Sequence, residues 1–250
     1  MLRRAARLHG DSTLHIPSLG CPTSPMMRGG EALQRAQEFA RRAIALDPEL
    51  AEAHMALGNT YAYVYDYAHA VEEHREAIRR SPQDYLIWDQ LSWALGYKQP
   101  PEAVEAEKAA REAIRLQPAR ASAWYHLGRA LIFQERYQEA TAAFQHCREL
   151  SGGVDVDFEN LGMAQLSLAQ GNYDQAIAYM QKYKALNNAI GQYWLSASYA
   201  GKGDKQKALA ALQKSFDQGF RDFAAIDAAP YFSSLRTDPR FQQMVRRYRK

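Results

Sequence analysis

The sequence predicts an all-α solenoid of stacked antiparallel helix hairpins with a C-terminal capping segment, and three observations predict it. A pattern of small, apolar and Pro residues recurs at a near-constant interval: Pro82 lies 34 residues after Pro48, and Pro118 follows 36 residues later. A period of that size marks helical hairpins that cannot bury their apolar faces alone. Apolar side chains make up 47% of the 250 residues, enough for a continuous core. No apolar run approaches the roughly 20 residues needed to span a bilayer.

The stretch from Asp47 to Pro82 defines the unit. Leu57, Gly58 and Tyr61 share one face of a first helix; Ala70, His74 and Ala77 share one face of a second. The small residues let the two backbones approach at a shallow angle, and Leu57 and Tyr61 fill the space beside them. Pro82 cannot continue the second helix, so the chain turns there. These residues resemble the tetratricopeptide repeat, with its Leu-Gly-x-x-Tyr first helix, its Ala-x-x-x-aromatic-x-x-Ala second helix and its closing Pro. The resemblance implies a right-handed superhelix whose first helices line the concave side.

Residues 1–30 carry Pro, Gly, Ser and Thr without helical periodicity and read as a poorly ordered leader. Three readings of it stay open: an organelle transit peptide, suggested by Arg3, Arg4 and Arg7; a linker remnant; or an upstream start codon, with the start near Met26 or Met27. The array is expected over 31–219. It opens on a half-repeat, 31–48, with Ala36 and Ala43 where a second helix requires them. Its first-helix partner is missing, because Pro22, Pro25, Gly29 and Gly30 break the preceding stretch. The resulting apolar edge would be covered by the leader, a second copy of the chain or an upstream domain.

Full repeats follow at 51–82, 85–118, 121–152, 156–186 and 189–219. The second gains two residues near Gln99-Pro100-Pro101, a widened loop or a docking loop. The third is the cleanest match, with Trp124, Leu127, Gly128 and Leu131, then Tyr137, Ala140, Phe144 and Cys147; Gly152-Gly153 replaces its Pro. In the fourth, Leu161-Gly162 sits two residues early. The fifth keeps Leu195, Tyr199, Gly203 and Ala208. Residues 220–250 form the helical cap, with Asp238-Pro239 as N-cap and first helical residue. The ending, GFRDFAAIDAAPYFSSLRTDPRF, is similar to the tail of tetratricopeptide arrays in bacterial signalling proteins such as class III nucleotide cyclases, winged-helix regulators and Ser/Thr kinases.

Lys and Arg number 31 against 28 Asp and Glu, yet Arg3, Arg4, Arg7, Arg28, Arg246, Arg247, Arg249 and Lys250 sit at the ends. Setting these and Asp11 aside leaves 23 basic against 27 acidic side chains, which disfavours a nucleic-acid track. Cys21 and Cys147 fit no metal spacing and read as isolated thiols in a reducing compartment. His54 and His74 take places of large packing side chains, while His69 and His146 fall on solvent-facing surfaces; none joins a metal cluster. Glu72-Glu73 read as a solvated face. No nucleophile, base and oxyanion set stands out, so no enzyme and no cofactor is expected.

The resemblance turns the first helices into a candidate peptide-binding groove: Met55, Asn59 and Tyr63; Asp89, Trp93 and Tyr97; Tyr125, Arg129 and Phe133; then Phe158, Leu161, Gln165 and Tyr193. Aromatic side chains there offer large contact areas at small entropic cost, and Asn, Arg and Gln can bond a peptide. Family members that clamp acidic chaperone tails use Lys and Asn. Asn59 matches one Asn, but Met55 replaces the first Lys and Asp89 and Gln90 add no positive charge. The expected ligand is therefore a protein or peptide with aromatic or aliphatic anchors and one acidic group. The expected setting is a bacterial cytoplasm, without nucleic acid or membrane, and a homodimer through the uncovered first helix is open. The alternatives are a sensory part of a signalling enzyme or transcription regulator, suggested by the tail, and an RNA-binding helical repeat, suggested only by the Arg-rich ends.

Overall fold

Acidic and amide side chains start several of the helices by accepting from free backbone amides of the first turn: Asp84 from Leu86, Asn188 from Gly191, Asp204 from Lys207 and Asp238 from Arg240, at 2.7–3.1 Å. The computed structural model describes residues 29–150, 152–153 and 157–249. The leader, with Cys21 and the candidate starts at Met26 and Met27, lies outside them but for Gly29 and Gly30. Helix α1 (Gly29–Leu46) is followed by five hairpins: α2 (Ala51–Tyr63) with α3 (Tyr67–Arg80), α4 (Tyr85–Tyr97) with α5 (Ala103–Leu116), α6 (Ala121–Phe133) with α7 (Tyr137–Leu150), α8 (Asp157–Ala169) with α9 (Tyr173–Lys182), and α10 (Ala189–Lys202) with α11 (Lys205–Asp217). The cap comprises α12 (Phe223–Ala228), a 3-10 turn over Pro230–Leu235, and α13 (Pro239–Tyr248). Among the described residues there is no strand, and the fold is an all-α solenoid of helix hairpins.

One small residue fixes each hairpin. Gly58, Ser92, Gly128, Ala164 and Ser196 are each the eighth residue of their first helix. A Cβ on Gly58 would come 2.6 Å from His74 Cδ2, and one on Gly128 2.3 Å from Phe144 Cε1. Ser92 and Ser196 use the same close approach to donate to the carbonyls of Ala106 and Ala208, both at 2.8 Å. The early Leu161-Gly162 pair has a physical reason. Ala164 holds the eighth position of α8, while Gly162 leaves room for Phe144 of the preceding hairpin, 2.3 Å from where its Cβ would stand.

Neighbouring hairpins are tied by a repeated bond: Trp88 Nε1 donates to the Pro82 carbonyl and Trp124 Nε1 to that of Pro118, each at 2.9 Å. The two prolines of 100–101 lie between α4 and α5, where Lys98 pairs with Glu102. Successive first helices pack on one another, α2 on α4, α4 on α6, α6 on α8 and α8 on α10, whereas no successive second helices pack to that degree. The stack therefore curves with its first helices inside.

The turn within four of the five hairpins uses a left-handed residue two places after the thirteenth helical position. Gly171 and Gly203 serve in the fourth and fifth hairpins, but Tyr65 (φ 65°) and Glu135 (φ 58°) serve in the first and third. At the far end Phe220, Ile226, Phe232, Leu235 and Phe241 bury against Leu209, Leu212 and Phe216 of α11 and Tyr193 of α10. At the near end α1 packs on α2 and buries Ala40, but leaves Phe39 and Leu46 68% and 71% exposed.

Candidate functional site

The candidate groove residues fall at the fifth, ninth and thirteenth positions of the first helices, Phe158 excepted, and their burial follows position. At the fifth, Met55, Asp89, Tyr125, Leu161 and Tyr193 are all buried. At the ninth, Asn59 and Trp93 are half-buried while Arg129 and Gln165 are buried. At the thirteenth, Tyr63 and Phe133 are 52% and 45% exposed and Tyr97 is half-buried. Phe158, at the second position of α8, is exposed as well. Curvature brings the first helices together on their inner side, so the middle of each helix packs against its neighbour and the end opens outward.

Several of these side chains already have partners. Asn59 Oδ1 lies 3.1 Å from His74 Nε2, and Gln165 Nε2 donates to the Tyr125 hydroxyl at 3.0 Å. Asp89 accepts from Ser122 Oγ at 2.7 Å, its other oxygen buried without a partner. Burial raises its carboxyl to about 6, against the pull of Ser122 and Arg120. Met55 packs with Ala51, Ala77 and Ile87. Tyr193 stacks on Phe220, ring centroids 4.5 Å apart.

The structure brings together Trp93, Tyr97, Arg129 and Phe133. Trp93 meets Tyr97 edge-on at 6.1 Å, and the Arg129 guanidinium lies 3.6 Å from the Tyr97 ring centroid and 5.9 Å from that of Phe133. Arg129 Nη2 donates to the Gly96 carbonyl at 3.3 Å. Three groups absent from the sequence-based set stand beside it. Tyr65 crosses from the first hairpin to Phe220, 5.6 Å between centroids, and Asp222 is buried. A signal for Tyr65 was present, since it holds the turn position that Gly171 and Gly203 hold elsewhere; nothing marked Phe220 and Asp222 except their place just after the last hairpin.

Other titratable groups serve packing. His74 and His126 are buried, and burial pushes both down to about 3. Burial pushes the Cys147 thiol up to about 12, far from the thiolate range that reactive cysteines need. His69 and His146 are exposed beside Asp66 and Glu149. Glu73 departs from the expected solvated face: its carboxylate lies 2.8 Å from His54 Nδ1 and is largely buried. Among the described residues no group of three or more His, Cys, Asp or Glu could hold a metal, and no helix is long and apolar enough to cross a membrane.

The model of the tetratricopeptide repeat family matches residues 105–150 and 161–219, the third hairpin with part of the second and nearly all of the fourth and fifth. The chain carries tetratricopeptide repeats in these stretches. The matched family is one of repeat scaffolds, not of catalysts. Over 72 residues this repeat protein is 40% identical to the cytochrome c-type biogenesis protein CycH of Pseudomonas aeruginosa, which covers 27% of this chain and 18% of that one. Over 116 residues it is 32% identical to the small glutamine-rich tetratricopeptide repeat-containing protein 2 of Mycosarcoma maydis, covering 46% and 31%. The chain thus spans less than a third of the length of either curated relative. In fold it is similar to a thermophilic tetratricopeptide-repeat protein of Thermus thermophilus, with a TM-score of 0.59 at 18% identity over 74% of this chain and 98% of that one.

Proposed function

We propose that this repeat protein is a non-catalytic interaction module that binds a peptide or protein segment along its concave face. The observation that carries the reading is the aromatic rim at the open ends of the first helices, Tyr63, Tyr97 and Phe133, with the buried guanidinium of Arg129 lying against the rings of Tyr97 and Phe133. Rigid aromatic rings bury large areas with little rotamer entropy lost, and a desolvated arginine fixes the orientation of a polar ligand group. A protein ligand is favoured over nucleic acid because cations on and just before the second helices are engaged: Arg75 with Glu105, Arg115 with Glu112, and Arg136 with Glu107 and Glu139. Phosphate tracking needs such cations free.

Selection from a displayed library of random peptides on the full chain tests the reading. Binders are expected, and they should be lost on the doubly substituted Tyr63→Ala, Phe133→Ala chain, whose exposed positions leave the core intact. Binders that ignore both substitutions would move the site elsewhere. The exposed Phe39 and Leu46 of α1 favour a second contact, pairing with another copy of the chain. Sedimentation of the full chain should then show a dimer that Phe39→Lys with Leu46→Lys converts to monomer; an unchanged mass removes that contact.

A further inference from the structure

Arg129 is a buried cation without a counter-ion in contact. It is 5% exposed, its hydrogen bond goes to the neutral Gly96 carbonyl, and among the described residues no carboxylate lies within ion-pair distance. A cation taken from water without a partner is costly, so such a site favours an anionic group. The chain itself brings one near. Asp222 is buried within the field of Arg129, where it caps α12 by accepting from the Ala225 amide at 2.9 Å. Burial raises its carboxyl to about 6, against that amide and the field of Arg129.

Two residues earlier, Phe220 stacks on Tyr193 with planes 16° apart and meets Tyr65 from the opposite end of the array. Tyr65 holds the left-handed position of its turn, a conformation that costs a bulky L-residue energy and that glycine fills in the fourth and fifth hairpins. Between them, Arg221 turns away toward the ring of Tyr248, 5.0 Å from its centroid. The segment thus holds an aromatic ring and a carboxylate on either side of Arg221, whose own side chain is engaged outside the groove by the Phe216 and Phe220 carbonyls and the Tyr248 ring.

Resting on the groove reading above, we infer that the concave face selects protein segments in which an aromatic residue is followed two positions later by a carboxylate. The chain's own Phe220-Arg221-Asp222 occupies that place until a partner bearing the same pattern displaces it. The partner's ring takes the slot between Tyr193 and Tyr65, and its carboxylate takes the field of Arg129.

The probe is a fluorescent synthetic peptide of residues 218–225, followed by anisotropy on the full chain. An attached segment competes at high effective concentration, so the wild-type chain should bind the peptide at least about tenfold more weakly than a folded Phe220→Ala chain. Tyr65→Gly, which removes the opposing ring and relieves the left-handed backbone, is the second opened chain should Phe220→Ala lose helicity. On an opened chain, peptides carrying Phe220→Ala or Asp222→Asn should each bind about tenfold more weakly. Equal binding by opened and wild-type chains, or by the Asp222→Asn peptide, overturns the inference. Library peptides that need Tyr63 and Phe133 but lack the pattern leave the groove reading standing and sink this one. A 218–225 peptide that binds opened chains, beside a library without groove-dependent binders, supports this inference alone.

Discussion

The ring of Phe144 lies between two glycines, Gly128 of its own hairpin and Gly162 of the next, each of which would place a Cβ 2.3 Å from a ring carbon. Alanine at either position must push the ring or part the helices. Gly128→Ala and Gly162→Ala are expected to lower stability by about 1–3 kcal/mol each, the usual cost of overpacking, read as denaturant midpoints. Asp89 makes the opposite case. Its folded pKa, about 6, stands above the ordinary 3.8 because burial disfavours the charged form. The penalty is absent below pH 4, where both states are protonated, grows as pH rises, and is complete above pH 6. Asp89→Asn keeps an acceptor for Ser122 and should raise stability at pH 7 by on the order of 2–3 kcal/mol, a gain that fades by about pH 4.

Helix α1 shows what an element contributes by the face it leaves bare. Phe39 and Leu46 are mostly in water, so lysine at both should change the chain's own stability by no more than about 0.5 kcal/mol; a larger loss would mean that the face is covered. The same element marks how far the sequence carried. Period, hairpins and helix type were legible because they rest on local spacing, Leu57-Gly58 against Ala70 and Ala77, and on breakers such as Pro82. The α1 start was not: glycine spacing argued against helix at 29–30, and the helix begins at Gly29. The candidate positions were legible as a stripe along the first helices, but not their burial. Whether Tyr125 is covered and Phe133 bare depends on how tightly neighbouring first helices approach, a property of the curvature that no single hairpin encodes. Tyr65 escaped for a related reason, since its contact lies at the other end of the array.

Across the whole molecule two buried histidines offset two buried aspartates. His74 and His126, both held near 3, lose stability as pH falls from 6.5, because the unfolded chain binds those protons first. Asp89 and Asp222, both near 6, gain stability over about the same interval. Between pH 5 and 6 the four slopes nearly cancel, so the wild-type midpoint should be almost level there. His74→Phe should leave stability rising on acidification, and Asp89→Asn should leave it falling, each by about 1.4 kcal/mol per pH unit. The meeting of Tyr65 and Phe220 reaches further. An open stack of repeats contacts only neighbours, so its end units fray independently and its unfolding spreads along the array. Joining the first hairpin to the segment after the last turns that line into a loop with no free terminal hairpin. Amide exchange in α2 and α3 should then be as slow as in α6 and α7, and in the Phe220→Ala chain it should speed up in α2 and α3 ahead of the middle.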